Sequence, residues 1–387
     1  MRSLLAWSSR VDAATPADRD RAVDALRAIA ILGVVFGHWL VTAVVDQGGG
    51  RLAGASPLRS MPAFVPISWL LQTLAVFFLV GGYAAARSWG SAGARGATYW
   101  SWLKQRLTRL FAPVGLLLII WTVAVGMLVV FGAPYTTLRT LVTLVLSPLW
   151  FLIVFAVITS FTPLLCRAAG KRAVPAIVIA LAAVAAVDVA RFAVGGPHRL
   201  GWVNVIAGWM VPYALGVAWA EGAVRDRRDP SALFAGGLMG AVALVMWFGY
   251  PASMVGVPGA RISNLNPPTM AAVAFGVAQC GFALLMHERL RRWMRSPLAW
   301  GVVVMANMSA IIVFLWHQSA LLTVTLGARW IGTLPGLHTS PDSPVWVLQR
   351  LLWIPAFVAT LFLLWAAARK LEWPSPARGN TGTQPVT

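Results

Sequence analysis

Arg21 to Leu40 read RAVDALRAIAILGVVFGHWL, a single apolar run that nonetheless carries Asp24, Arg27 and His38. Arg27 and His38 are eleven positions apart. At 3.6 residues per turn this is almost three whole turns, so both side chains project from one helix face, about 16 Å apart along the axis. Ionisable groups inside a bilayer are costly and face a bundle interior or a wet cavity. The pair is therefore a candidate functional site. The alternative is an arginine that snorkels to the membrane surface and a histidine that adds only packing polarity.

Outward from this run the chain stays apolar. Of its 387 residues, 59% are hydrophobic and 11% charged, with 20 Trp, whereas soluble domains carry about 25% charged residues. The expected fold is all-α, a polytopic membrane protein. Stretches of about 20 apolar residues fall near 22–45, 64–86, 112–131, 149–166, 173–190, 202–220, 231–250, 268–286, 299–325 and 346–368, ten helices in all. Pro and Gly inside several spans are tolerable because neighbouring helices satisfy the freed backbone groups.

Basic residues set the expected orientation, since short cytoplasmic loops carry the Lys and Arg excess. With both termini inside, only Arg51, Arg59, Arg139, Arg191, Arg199, Arg261, Arg329 and Arg350 of the 31 Lys and Arg fall on the outer side, and Arg27 lies within the first helix. Most of the net charge of +19 is thus topological and not a nucleic-acid footprint. Cys166 and Cys280 fall in different spans, so no disulfide framework is expected. The first apolar run is too long and too polar for a cleavable signal. The expected organisation is a cytoplasmic segment over 1–20, a transmembrane domain over 21–370 and a disordered tail over 371–387, rich in Pro, Gly and Thr. No internal repeat of the inverted-transporter kind is evident.

Several landmarks resemble those of the integral-membrane acyltransferase-3 family. Asp24, Arg27 and His38 match its opening pattern, an acidic residue and an arginine followed by ten residues and a histidine. Val76-Phe77-Phe78-Leu79-Val80-Gly81-Gly82-Tyr83 resembles its Phe-Phe-x-x-Ser-Gly segment, with Gly81 where many members have serine. The loop Lys104-Gln105-Arg106-Leu107-Thr108-Arg109, with Pro113 beyond it, resembles its basic stretch, and Pro148-Leu149-Trp150-Phe151-Leu152 is another landmark. Asn264-Leu265-Asn266-Pro267-Pro268-Thr269 with Gln279, and Leu315-Trp316-His317, resemble an actinobacterial branch.

The resemblance implies a membrane O-acyltransferase that takes an acyl group, most simply acetyl, from cytosolic acyl-CoA. Transfer to a hydroxyl needs a base near the attacking oxygen, a donor held beside it and a group that stabilises the oxyanion. His38 suits the base, because an imidazole with an ordinary pKa near 6.5 takes a proton at neutral pH. It could instead pass the acyl group through an acyl-imidazole, and the sequence leaves both routes open. The resemblance assigns the CoA phosphates to Arg27, Lys104, Arg106 and Arg109, with Arg95 nearby. Positive-inside bias is the alternative reason for these cations. Asp24 is placed to orient Arg27, or to favour the helix dipole.

The expected acceptor is an envelope carbohydrate or glycolipid, such as a trehalose mycolate, contacted by Trp150, Asn264, Asn266, Gln279 and His317. Amides suit sugar hydroxyls because each offers a donor and an acceptor, although Asn and Pro also make plain turns. His317 alternatively serves as a packing group, and His198, His287 and His338 read as structural, as does an Asp188–Arg191 ion pair. Gly33 and Gly37 permit close helix packing beside His38 or passage of a thin ligand arm. No metal site and no bound cofactor is expected, acyl-CoA being a co-substrate. The partners implied are acyl-CoA, the acceptor and the bilayer, with no nucleic acid, in a bacterial plasma membrane. The alternative reading is a secondary transporter or lipid flippase with His38 and Arg27 as a proton relay, although only Asp188 lies clearly within a span and Glu221 at a helix end.

Overall fold

The structure, a computed structural model, describes residues 2–168, 173–224 and 226–372. Among them ten helical segments are long and apolar enough to cross a membrane. In chain order α1 (Arg2–Ala13) precedes the first crossing, α2 (Arg21–Val41). A hairpin of β1 (Ala43–Asp46) and β2 (Leu52–Ala55) leads through α3 (Pro57–Ser60) and α4 (Val65–Leu71) into α5 (Leu74–Ala94). There follow α6 (Tyr99–Val130), α7 (Tyr135–Leu146), α8 (Trp150–Ser160), α9 (Thr162–Ala168), α10 (Ala173–Phe192), α11 (Trp202–Ala220), α12 (Arg228–Trp247) and α13 (Met270–Trp293). The chain closes with α14 (Pro297–Met308), α15 (Ala310–Ala328) and α16 (Pro344–Glu372). Lys171, Arg172, Arg225 and the expected tail beyond Glu372 lie outside the described residues.

Several expected spans are redrawn. The first helix starts one residue before its expected position, capped by the Asp20 carboxylate, which accepts from the amides of Ala22 and Val23. Burial works against the Asp20 charge, but its bond to His287, 2.8 Å long, and the two amides hold its pKa below the usual carboxylate value. The helix stops at Val41, not residue 45, and Ala43–Asp46 pairs antiparallel with Leu52–Ala55 in the register Ala43 to Ala55. The reversal is made by Gly48, Gly49 and Gly50, all at positive φ, which glycine adopts without steric cost. The expected 64–86 helix is two helices, broken at Gln72 and Thr73 between α4 and α5. Helix α6 begins at Tyr99, with the Thr98 hydroxyl capping Ser101, so the basic stretch 104–109 is helix and not loop. The 299–325 span divides at Ser309.

Two packing features set the frame of the bundle. Helices α5 and α11 cross in backbone contact: a Cβ on Gly82 would strike the Tyr213 carbonyl, and one on Gly216 the Leu79 carbonyl. Small residues allow this approach between membrane helices, where dispersion replaces the hydrophobic drive. Arg350, counted among the outer-side cations, is wholly buried in α16. Its guanidinium donates to the carbonyls of Trp39 (2.8 Å), Gly336 (3.0 Å) and Thr42, and lies against the rings of Trp346 and Phe357. It thereby satisfies carbonyls that the end of α2 leaves open.

Candidate active site

The inward face of α2 carries the site. The Asp24 carboxylate accepts from Arg27 at 3.2 Å, as the spacing suggests, and from Arg19 Nε at 2.7 Å. Asn307, at the end of α14, donates to the Asp24 carbonyl at 2.8 Å. Arg27 thus stands oriented at the mouth of a cavity of about 370 Å³, lined also by Arg106, Arg109, Phe77, Gly81, Phe155 and Phe314. Arg106 and Arg109 share one face of α6, three residues apart. Lys104 is exposed and lies outside this cavity, because two residues turn it about 200° away from Arg106. Neither Arg106 nor Arg109 pairs with a carboxylate among the described residues.

Gly81 accounts for its own departure from the family pattern. A Cβ there would run into the ring of Phe155, which occupies the place a larger side chain would need. Gly81→Ser is therefore expected to destabilise the fold by about 1–3 kcal/mol through overpacking. Phe155→Leu in the same chain should return part of that loss, as thermal unfolding of the two single variants and the double variant will show.

A second cavity, of about 350 Å³, opens from the hairpin end and is lined by His38, Ser68, Gln72, Thr73, Ser147 and Gln318 among others, none of them charged. The two cavities nearly meet. Their linings pass from Ile31 to Val34 on α2, from Phe77 to Leu74 on α5 and from Phe314 to Gln318 on α15, a partition of about one helical turn, near 5 Å.

His38 lines the second cavity one turn beyond Val34, and its hydrogen bonds fix its tautomer. His317 Nδ1 faces the Phe314 carbonyl, which can only accept, so Nδ1 carries the hydrogen. Neutral His317 then presents a lone pair at Nε2, 2.8 Å from His38 Nδ1. His38 Nδ1–H donates to it, which leaves the lone pair of His38 on Nε2. The Gln318 carboxamide lies against the same His38 Nδ1, its nitrogen at 3.1 Å and its oxygen buried without a partner. Turning that amide over pairs its oxygen with the Nδ1 hydrogen, the orientation this tautomer requires. The His38–His317 contact joins residues 279 positions apart, which no local spacing reveals.

The other expected acceptor contacts are placed elsewhere. Asn264 is fully buried, its amide donating to the carbonyls of Pro251 and Ser253 and its oxygen accepting from Thr269. It holds its own loop together and has no N–H left for a ligand. Asn266 is exposed and precedes a cis proline, while the neighbouring Leu265 reaches the His38 cavity. Trp150 packs near the rings of Phe151 and Trp209 and lines neither cavity. Gln279 donates to the Gln72 carbonyl and supports the α4–α5 break from behind.

Gly33 and Gly37 lie against Thr73 and Leu71 of that break, which is the packing use of the pair. His287 bonds Asp20, and His338 bonds the Thr325 carbonyl and the Leu334 amide. Asp188 joins Arg191, Asn204, Tyr250 and the Met270 amide in one polar knot.

No curated protein and no solved structure matches the chain. A family model described as an acyltransferase domain matches residues 20–369, a span that holds both cavities, and the chain belongs to this acyltransferase-3 family of membrane acyltransferases.

Proposed function

We propose that the protein transfers an acyl group, most simply acetyl, from cytosolic acyl-CoA to a hydroxyl of an envelope carbohydrate or glycolipid, a trehalose mycolate being one such acceptor. The observation that supports this reading is the pairing of two unlike cavities across one turn of three helices. One carries Arg27, Arg106 and Arg109, whose guanidinium groups suit the phosphates of the donor. The other offers only uncharged amides, hydroxyls and an imidazole, which suit a polyol. The excess of basic residues at the arginine end argues for that end facing the cytosol, in a bacterial plasma membrane.

In this arrangement the acceptor hydroxyl gives its proton to His38 Nε2 as its oxygen attacks the thioester carbonyl. The new C–O bond forms, the C–S bond breaks, and the departing thiolate takes the proton from the imidazolium. His317 is a positioning residue here, since it holds the Nδ1 hydrogen in place and so keeps Nε2 basic. Its replacement by alanine is expected to lower kcat by about 10²-fold, with the KM for acyl-CoA unchanged. His317→Gln, whose oxygen can accept from Nδ1–H at the same place, should recover most of the rate. Equal rates for the alanine and glutamine variants would remove the tautomer assignment.

The overall reading is tested with purified protein by following free thiol release from acyl-CoA of several chain lengths, with and without a crude envelope extract. Release that requires the extract is expected. Well-folded protein that neither binds nor turns over any acyl-CoA would overturn the donor assignment.

A further inference from the structure

The bundle holds a third cavity, an almost wholly apolar groove of about 640 Å³ between α2, α4, α5, α12 and α13. Phe275 and Trp293 both line it and lie about 27 Å apart along α13, close to the hydrocarbon thickness of about 30 Å. Thr73 lines this groove and also the His38 cavity. The wall between them is formed at the α4–α5 break, by Gln72 and Thr73, and not by a continuous helix.

The break also places polar atoms where lipid alone has no use for them. Gln279 lines the groove and donates to the Gln72 carbonyl, while its own oxygen is buried without a partner. Gln72 is 5% exposed, lines the His38 cavity, and its side-chain oxygen is likewise unpartnered. A buried acceptor left unpaired costs about 1–3 kcal/mol, and a head group that carries hydroxyls would relieve that cost at Gln72.

We infer that the acceptor is a hydroxylated lipid, its head in the His38 cavity against Gln72 and its acyl chain in the groove beyond Thr73. This deepens the proposed function and rests on it. The chain anchors the molecule, and the head presents a hydroxyl to His38 Nε2.

The test uses full-length protein in proteoliposomes, acetyl-CoA as donor, and the chloroform-soluble and water-soluble fractions of an envelope extract as separate acceptor pools. Two groove variants accompany the wild type, Ile29→Trp and Leu70→Trp, at side chains that line the groove and are 47% and 76% exposed, so neither disturbs a packed core. Thiol release is expected with the chloroform fraction. Each tryptophan should raise the apparent KM for that fraction about tenfold, a change of about 1.4 kcal/mol, and leave the Kd for acetyl-CoA unaltered. Release with the water-soluble fraction alone, or tryptophan variants indistinguishable from wild type, would overturn the inference and leave the acyltransferase reading intact. No release with either fraction, from acetyl-CoA and longer acyl-CoA donors alike, would remove that reading and the inference together.

Discussion

Replacing His38 with alanine is expected to lower acyl transfer by about 10²–10⁴-fold, the span that a positioned general base contributes. Donor binding should survive, because the cations of the first cavity are Arg27, Arg106 and Arg109, and Arg27 is about 16 Å from His38 along α2. The informative measurement is therefore a pair: thiol release under saturating acyl-CoA, and the Kd for acyl-CoA by direct binding. Loss of release with retained binding places His38 in the chemistry. Loss of both would mean that His38 holds the fold, and a variant as fast as wild type would exclude it from the reaction. Alanine at Arg27 should give the reverse pattern, with weaker donor binding and a smaller change in kcat.

The second large effect concerns stability. Arg350 is buried with no carboxylate partner among the described residues, and it serves the carbonyls of Trp39, Thr42 and Gly336. Arg350→Ala leaves these carbonyls without a charged donor and opens a void beside Trp346 and Phe357. The expected loss is on the order of 4 kcal/mol, in the tail of what single substitutions do. Arg350→Lys should recover little, since an ammonium cannot reproduce a planar fork aimed at several carbonyls. Thermal unfolding in detergent reads the loss directly. Activity should fall before the fold does, because Trp39 follows His38 in sequence and the guanidinium fixes the end of the helix that carries both. An Arg350→Ala protein with wild-type Tm would show that water reaches these carbonyls.

What could be read from the sequence was what local period encodes. Arg27 and His38 on one face of α2, Asp24 beside Arg27, and Arg106 with Arg109 on one face of α6 all follow from helical spacing, and the structure keeps each relation. The partners that complete the site come from far along the chain. His317 and Gln318 meet His38 across 279 and 280 positions, and Arg350 reaches Trp39 across 311. Hydrophobic periodicity carries no information about such contacts.

The hairpin is hidden in the sequence for a different reason. Ala43 to Val45 is a short apolar run, which period alone cannot assign to helix or strand, and the signal for a reversal lay in Gly48, Gly49 and Gly50. Asn264 is ambiguous in the sequence because turn chemistry and sugar recognition use the same amide. Only its saturated hydrogen bonds separate the two uses.

The docking of α1 has a consequence for how the chain is made. Trp300 in α14 donates to Thr15 across 285 positions, and Arg21 pairs with Asp12 while reaching the Met294 carbonyl. At about 5–20 residues per second of synthesis, α1 leaves the ribosome roughly 15–60 s before its partner surface exists. A nascent chain halted before residue 297 therefore holds its first helix undocked. A segment made early thus waits for one made late.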